Sequence, residues 1–191
     1  MSRIIRSVLA AGAGAAAIAA TVTFALPGER GERAETVAAA APAAVQLTAE
    51  HSGQCLTLPS GSLRNGVNAV QATCDPAAPN QRFDLVPTGA GTLDVRFTHA
   101  GKCLDVEGSG ITTGTPVQQW WCVQQPQQRW RMVLVDVVNE LYELRPSHVA
   151  GKAGRCLEVK SGSKETNAVV QLHPCNGTAA QKWRVKPVSA A

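Results

Sequence analysis

Beyond its first forty residues the chain has no second long apolar run, no cluster of Lys or Arg, no Cys-x-x-Cys pair and no helical stripe longer than two turns. Each absence removes a class of function. Without another apolar run there is no further candidate to span a bilayer. Without a basic cluster, electrostatics gives no footing for nucleic acid. Without Cys-x-x-Cys, the usual zinc spacings have no template, and no metal is expected. Neither a glycine-framed serine of the nucleophile-elbow form nor a Walker-type lysine is found. A glycosidase needs only two carboxylates, which spacing does not exclude. The acids that recur, Asp105 and Glu158, stand in different parts of the chain, however, so the expectation is a non-enzyme with no cofactor.

The one long apolar run lies at the N-terminus. In "MSRIIRSVLAAGAGAAAIAATVTFAL", Arg3 and Arg6 precede a charge-free stretch from Ser7 to Leu26, and the small-residue sequence "VAAAAPAA" follows, the order of a secretory signal. Cleavage after Ala40 puts small residues at both specificity positions and keeps Pro42 off the first mature position. An uncleaved anchor is the alternative, since the run is long enough to span, although its Ala and Gly make it weakly apolar. The expected organisation is a signal at 1–40, an Ala/Pro-rich linker at 41–44, a folded body at 45–187 and a tail at 188–191. The chain has 18 basic and 14 acidic side chains, and loss of 1–40 leaves a net charge of +3. The expected product is secreted and extracellular, free of membrane after processing, without a nucleic-acid partner, and monomeric.

The body repeats. "PNQRF", "PQQRW" and "AAQKW" set Gln81/Phe83, Gln128/Trp130 and Gln181/Trp183 in one frame. In register with them, "SGQCLTLPSG", "AGKCLDVEGSG" and "AGRCLEVKSG" open three units, and "VQATC", "VQQWWC" and "VQLHPC" lie in their middles. The units run over about 45–92, 93–139 and 140–187. Cys55 and Cys74, Cys103 and Cys122, and Cys156 and Cys175 are each separated by 19 positions. Six cysteines allow fifteen pairings. A unit that carries both halves of its own bridge makes pairing within each repeat the most economical, and export makes disulfides reasonable.

Within each unit apolar and polar residues alternate over short distances, as in "LDVRFT", "CLDV" and "WRVK", and the stretches between are rich in Gly, Pro, Asn and Ser. Period two with such punctuation predicts strands joined by hairpin turns. The fold class expected is all-β: three similar units of about four strands each, closing around a pseudo-threefold axis. An aromatic at the same place in every unit reads as a core layer contributed threefold. The glutamine before it reads as an amide that satisfies turn backbone groups, a structural role rather than a site.

These motifs together resemble the ricin-type β-trefoil lectin family: Gly-x-Cys-Leu-Asp-Val, then Val-Gln-x-aromatic-x-Cys, then Gln-x-Trp, three times over residues 45 to 187. The resemblance implies a β-trefoil of three four-stranded repeats with one shallow saccharide pocket available per unit, often galactose-type. It places that pocket at an Asp two places after the first Cys, a Gln four before the second, an aromatic two before it, and an amide just ahead of the Gln-x-Trp glutamine. The middle unit keeps this as Asp105, Gln118, Trp120 and Gln127, with Gln where Asn is usual. A carboxylate accepts from adjacent sugar hydroxyls, an indole covers the apolar face of the ring, and amides donate and accept. Because neighbouring strand positions face opposite ways, one of Trp120 and Trp121 is expected in the core, and the family frame makes Trp120 the exposed one.

The third unit has Glu158, Gln171, His173 and Ala180 at these places, a weaker site. The first has Thr57, Val70 and Ala72 and is expected to be dead, although Asn80 keeps the amide. His51, His99 and His148 each precede the Gly and first Cys of a unit and read as a repeated turn residue rather than a metal or proton site. Two functions remain: a glycan- or polysaccharide-binding module, or a trefoil that binds or inhibits a protein through a loop such as "LPSGSLRNG" or "SGSKETN".

Overall fold

The computed structural model describes residues 44–149 and 154–188. The signal at 1–40, the linker through residue 43, the tail from 189 and residues 150–153 of the third unit lie outside the described residues. The first unit forms β1 (Val45–Ala49), β2 (Cys55–Thr57), β3 (Val67–Asn68), β4 (Val70–Ala72) and β5 (Phe83–Gly89). The second forms β6 (Thr92–Phe97), β7 (Lys102–Val106), β8 (Val117–Trp120) and β9 (Arg129–Asp136). The third forms β10 (Leu141–Pro146), β11 (Arg155–Val159), β12 (Val170–Pro174) and β13 (Trp183–Pro187). The fourfold count per unit holds, with β3 and β4 one strand interrupted at Ala69: β4 pairs with β2 of its own unit and β3 with β8 of the next. No helix among the described residues is long and apolar enough to cross a membrane.

Outer strands of the three units close into a barrel, because β1 pairs with β5, β5 with β6, β6 with β9, β9 with β10, β10 with β13 and β13 with β1. Closure leaves no free sheet edge in that layer. The inner strands make three hairpins, β2 with β4, β7 with β8 and β11 with β12. Each hairpin carries one disulfide, Cys55–Cys74, Cys103–Cys122 and Cys156–Cys175, as the equal spacing predicts. In the chain-entropy account each closed loop contributes about 3 kcal/mol. Glu143 lies close to the Cys156 and Cys175 sulfurs, but both are bonded to each other and neither is a thiolate that could hold a metal.

The core is threefold to the residue. Leu47, Val95 and Leu144, then Leu56, Leu104 and Leu157, then Ala69, Val117 and Val170 are buried in corresponding positions. Phe83, Trp130 and Trp183 form the expected aromatic layer, fully buried. Burial of each such side chain stabilises by about 1.5–3 kcal/mol. The indoles must also place an N–H: Trp130 donates to the Leu104 carbonyl and Trp183 to that of Leu157, both at 3.0 Å. Phe83 has no such demand and packs on Phe97 with ring centroids 4.9 Å apart.

The glutamines of the repeated frame do the backbone work expected of them. Gln81, Gln128 and Gln181 accept from the amides of Asp75, Val123 and Asn176 at 2.8, 2.8 and 2.9 Å. Their Nε2 atoms donate to the carbonyls of Thr73, Trp121 and Pro174. The histidines do more than shape turns. His51, His99 and His148 bond through Nε2 to the carbonyls of Ser163, Ser62 and Gly110, each in the neighbouring unit. They are ties across the seams, and the residue before each first cysteine adds a second tie: Gln54 to Lys164, Lys102 to Leu63 and Arg155 to Ile111.

Candidate functional site

The hairpin of β7 and β8 sets Asp105 directly opposite Gln118 and Trp120 opposite Cys103. Facing residues on one side of an antiparallel pair lie within side-chain reach. Gln118 Nε2 donates to Asp105 Oδ1 at 2.9 Å, and Gln128 Nε2 donates to Oδ2 at 3.0 Å. Both carboxylate oxygens are thus fixed, and the residue is only 4 % exposed. Each oxygen still has lone pairs to offer a ligand. Burial raises the Asp105 carboxyl above its ordinary value of 3.8, against the opposite pull of the two amide hydrogen bonds and of nearby His148.

Around this carboxylate lies a cleft of about 420 Å³ lined by Asp105, Gln118, Trp120, Gln127, Glu107 and Gly66 among others. The four residues singled out from the sequence are therefore brought together. Trp120 is 39 % exposed at the end of β8, and the side-chain amide of the half-buried Gln127 makes no hydrogen bond to any described residue. A fixed acceptor pair, a free amide and an open indole in one cleft suit a ligand with adjacent hydroxyls and an apolar face.

Two expectations need correction. Trp121 is not in the core: it is 60 % exposed, more than Trp120, because β8 ends at Trp120 and the chain turns outward into the disulfide. Its ring rests on the Lys102 ammonium, 4.3 Å from the ring centroid. The glutamine of the repeated frame is also not confined to the fold, since Gln128 holds the site carboxylate as well as the turn. Recurrence concealed this, because Gln81 is present in a unit that has no acid. Gly66, contributed by the first unit, was missed altogether. Its φ of +75°, which glycine adopts freely, lets the loop of one unit wall the pocket of the next beside Gln118 and Trp120.

The third unit repeats the arrangement with changes. Gln171 and Gln181 donate to Glu158 Oε1 and Oε2 at 3.3 and 2.8 Å. His173 Nδ1 comes within 3.3 Å of the same Oε2, so part of the acceptor capacity faces the platform residue itself. The cleft of about 250 Å³ is lined by Glu158, His173, Asn176, Thr178 and Ala180 among others, and the buried methyl of Ala180 supplies no amide. In the first unit Asn80 donates to Thr57 Oγ1 and to the Leu58 carbonyl at 3.0 and 2.7 Å, so the amide that the sequence left available is turned inward and spent.

A profile of the ricin-type beta-trefoil lectin domain matches residues 43–183. The chain belongs to that family. Nigrin b of Sambucus nigra is 27 % identical over 123 residues, which are 62 % of this chain and 19 % of nigrin b, so the chain spans about a fifth of that relative's length. The designed threefold-symmetric protein ThreeFoil superimposes with a TM-score of 0.69 at 31 % identity, covering 75 % of this chain and 97 % of its own. The Macrolepiota procera ricin B-like lectin, solved in complex with lactose, does so at 0.62 and 17 % identity over 77 % and 96 %. This lectin-type β-trefoil is a carbohydrate-binding domain, and its three disulfides staple the three family repeats.

Proposed function

We propose that the protein is a secreted, non-catalytic glycan-binding module that holds a galactose-type sugar mainly in the middle-unit cleft, with the third unit as a weaker second site. The observation that carries the reading is the Asp105 carboxylate, fixed through both oxygens by Gln118 and Gln128 yet bordering an open cleft beside Trp120. Export is supported by the order of charge, apolar run and small residues in 1–40. The galactose preference is supported by family membership and by the lactose bound to the Macrolepiota procera lectin. A single shallow cleft of this kind gives affinities near the millimolar level, about −4 kcal/mol, and useful avidity comes from several sites on one polymer.

The test is binding of the oxidised protein across a broad glycan and polysaccharide panel with Asp105→Ala alongside. Galactose-type ligands retained by the parent and lost by the folded variant support the reading. No binding, or equal binding by the variant, hands the function to the protein-partner alternative, read through the loops at 58–66 and 161–167.

A further inference from the structure

A third cleft, of about 250 Å³, opens at the β5–β6 hairpin and is lined by Thr88, Asp94, Arg96, Gln124 and Arg129 among others. It lies outside the three family pockets, since Asp94 sits on a barrel strand, opposite Val86 of β5 and Arg129 of β9. Asp94 is 2 % exposed. Its Oδ2 accepts from Arg96 Nη2 at 2.9 Å, while its Oδ1 is buried without a partner, as are Arg96 Nε and Arg129 Nε. One acceptor and two donors are thus left unpartnered on three residues that line the same cavity, and buried groups of this kind ordinarily find partners.

The corresponding positions show that the scaffold does not require this. Gln46, Asp94 and Glu143 each stand five places before the histidine of their unit. Gln46 donates to the Asp75 carbonyl at 2.9 Å and to Gln81 Oε1 at 3.2 Å. Glu143 Oε2 takes both Nε and Nη2 of Arg145. Among these three positions in the described residues, only Asp94 keeps a buried carboxyl oxygen unpartnered.

We propose that this cleft binds an acidic sugar residue, a uronate, whose ring hydroxyl donates to Asp94 Oδ1 and whose carboxylate is held by Arg129 with Arg96 beside it. A sugar hydroxyl both donates and accepts, which a simple anion does not. Two guanidinium groups against one carboxylate leave a positive surplus, and arginine suits planar carboxylate recognition. The Asp105 cleft has the opposite balance, with Asp105 and Glu107 on its wall and no Lys or Arg, so the two clefts would select different residues of a mixed polysaccharide. The Asp94 site does not depend on the Asp105 cleft.

The experiment follows the arginine Nε–H signals of the intact oxidised protein by NMR while sodium glucuronate, glucose or sodium acetate is added. Glucuronate is expected to shift the Arg96 and Arg129 signals saturably, with glucose and acetate each about tenfold weaker or more. Arg129→Gln should lose that response, Arg129→Lys should recover part of it, and Asp105→Ala should keep it whole. The proposal is overturned if no ligand moves these signals, if acetate or glucose matches glucuronate, if folded Arg129→Gln binds like the parent, or if Asp105→Ala abolishes the response.

Discussion

The second and third units place an acid on corresponding strands, β7 and β11, hold it with corresponding pairs of glutamines, and differ in what else the acid meets. Asp105 faces an open cleft with an indole at its edge and a free amide, whereas Glu158 has His173 against one oxygen and a methyl where the amide would be. The first unit goes further, with Thr57 in place of the acid and Asn80 folded over it. The lesson is that a copy can change or lose the site while keeping its place in the scaffold, because the buried aromatic and its glutamine are stabilised independently of any ligand.

That comparison can be broken in order of expected effect. Gln128→Ala strips three hydrogen bonds, one to the buried Asp105 carboxylate and two to the Val123 amide and Trp121 carbonyl of the turn, so it should cost about 2–3 kcal/mol in denaturant unfolding and weaken sugar binding at the same time. Gln81→Ala should cost a similar amount of stability with sugar binding intact. Equal affinities in the two variants would sink the assignment of a site role to Gln128.

Trp120→Ala removes an exposed indole and should lower affinity by about tenfold or more in calorimetry, with the unfolding midpoint hardly moved. Trp130→Phe copies the first unit's solution without its Phe97 neighbour and leaves the Leu104 carbonyl unpaired, at a cost of about 1–2 kcal/mol.

Acid should separate the middle site from an ordinary surface carboxylate. The folded Asp105 carboxyl lies above the unfolded value, so its proton is held more tightly when folded, and its charged form detracts from stability at neutral pH rather than adding to it. Sugar hydroxyls donate to the carboxylate, so affinity should fall as pH drops through that raised value. A binding midpoint at or below 3.8 would contradict the raised carboxyl. The smallest effect is expected from Ala180→Asn, which restores an amide to the third cleft and should raise its affinity by a few-fold, read as a clearer second site in the stoichiometry.

Much of this was legible in the residues. Equal cysteine spacing, alternation and the glutamine-aromatic frame are local patterns repeated three times, and each follows from covalent reach or side-chain period rather than from distant packing. The site quartet of Asp105, Gln118, Trp120 and Gln127 was legible because all four belong to one unit, at positions that the family resemblance singles out. The outward position of Trp121 was not, because it depends on where β8 ends, and strand alternation says nothing past that point. Nor were the histidine ties from His51, His99 and His148, whose partners lie 37 to 112 positions away.

The sequence by itself determined the threefold unit, its disulfides, its aromatic core layer and which copy keeps the acid, the amides and the aromatic together, since all of these are written within about twenty consecutive residues. Only the tertiary structure decided that Gly66 of the first unit walls the middle cleft, that Gln128 serves the carboxylate as well as the turn, and that Asp94 is left with an unpaired oxygen beside two arginines. Those depend on barrel closure and the seams between units, where residues far apart in the chain are desolvated together and must find partners there or lack them.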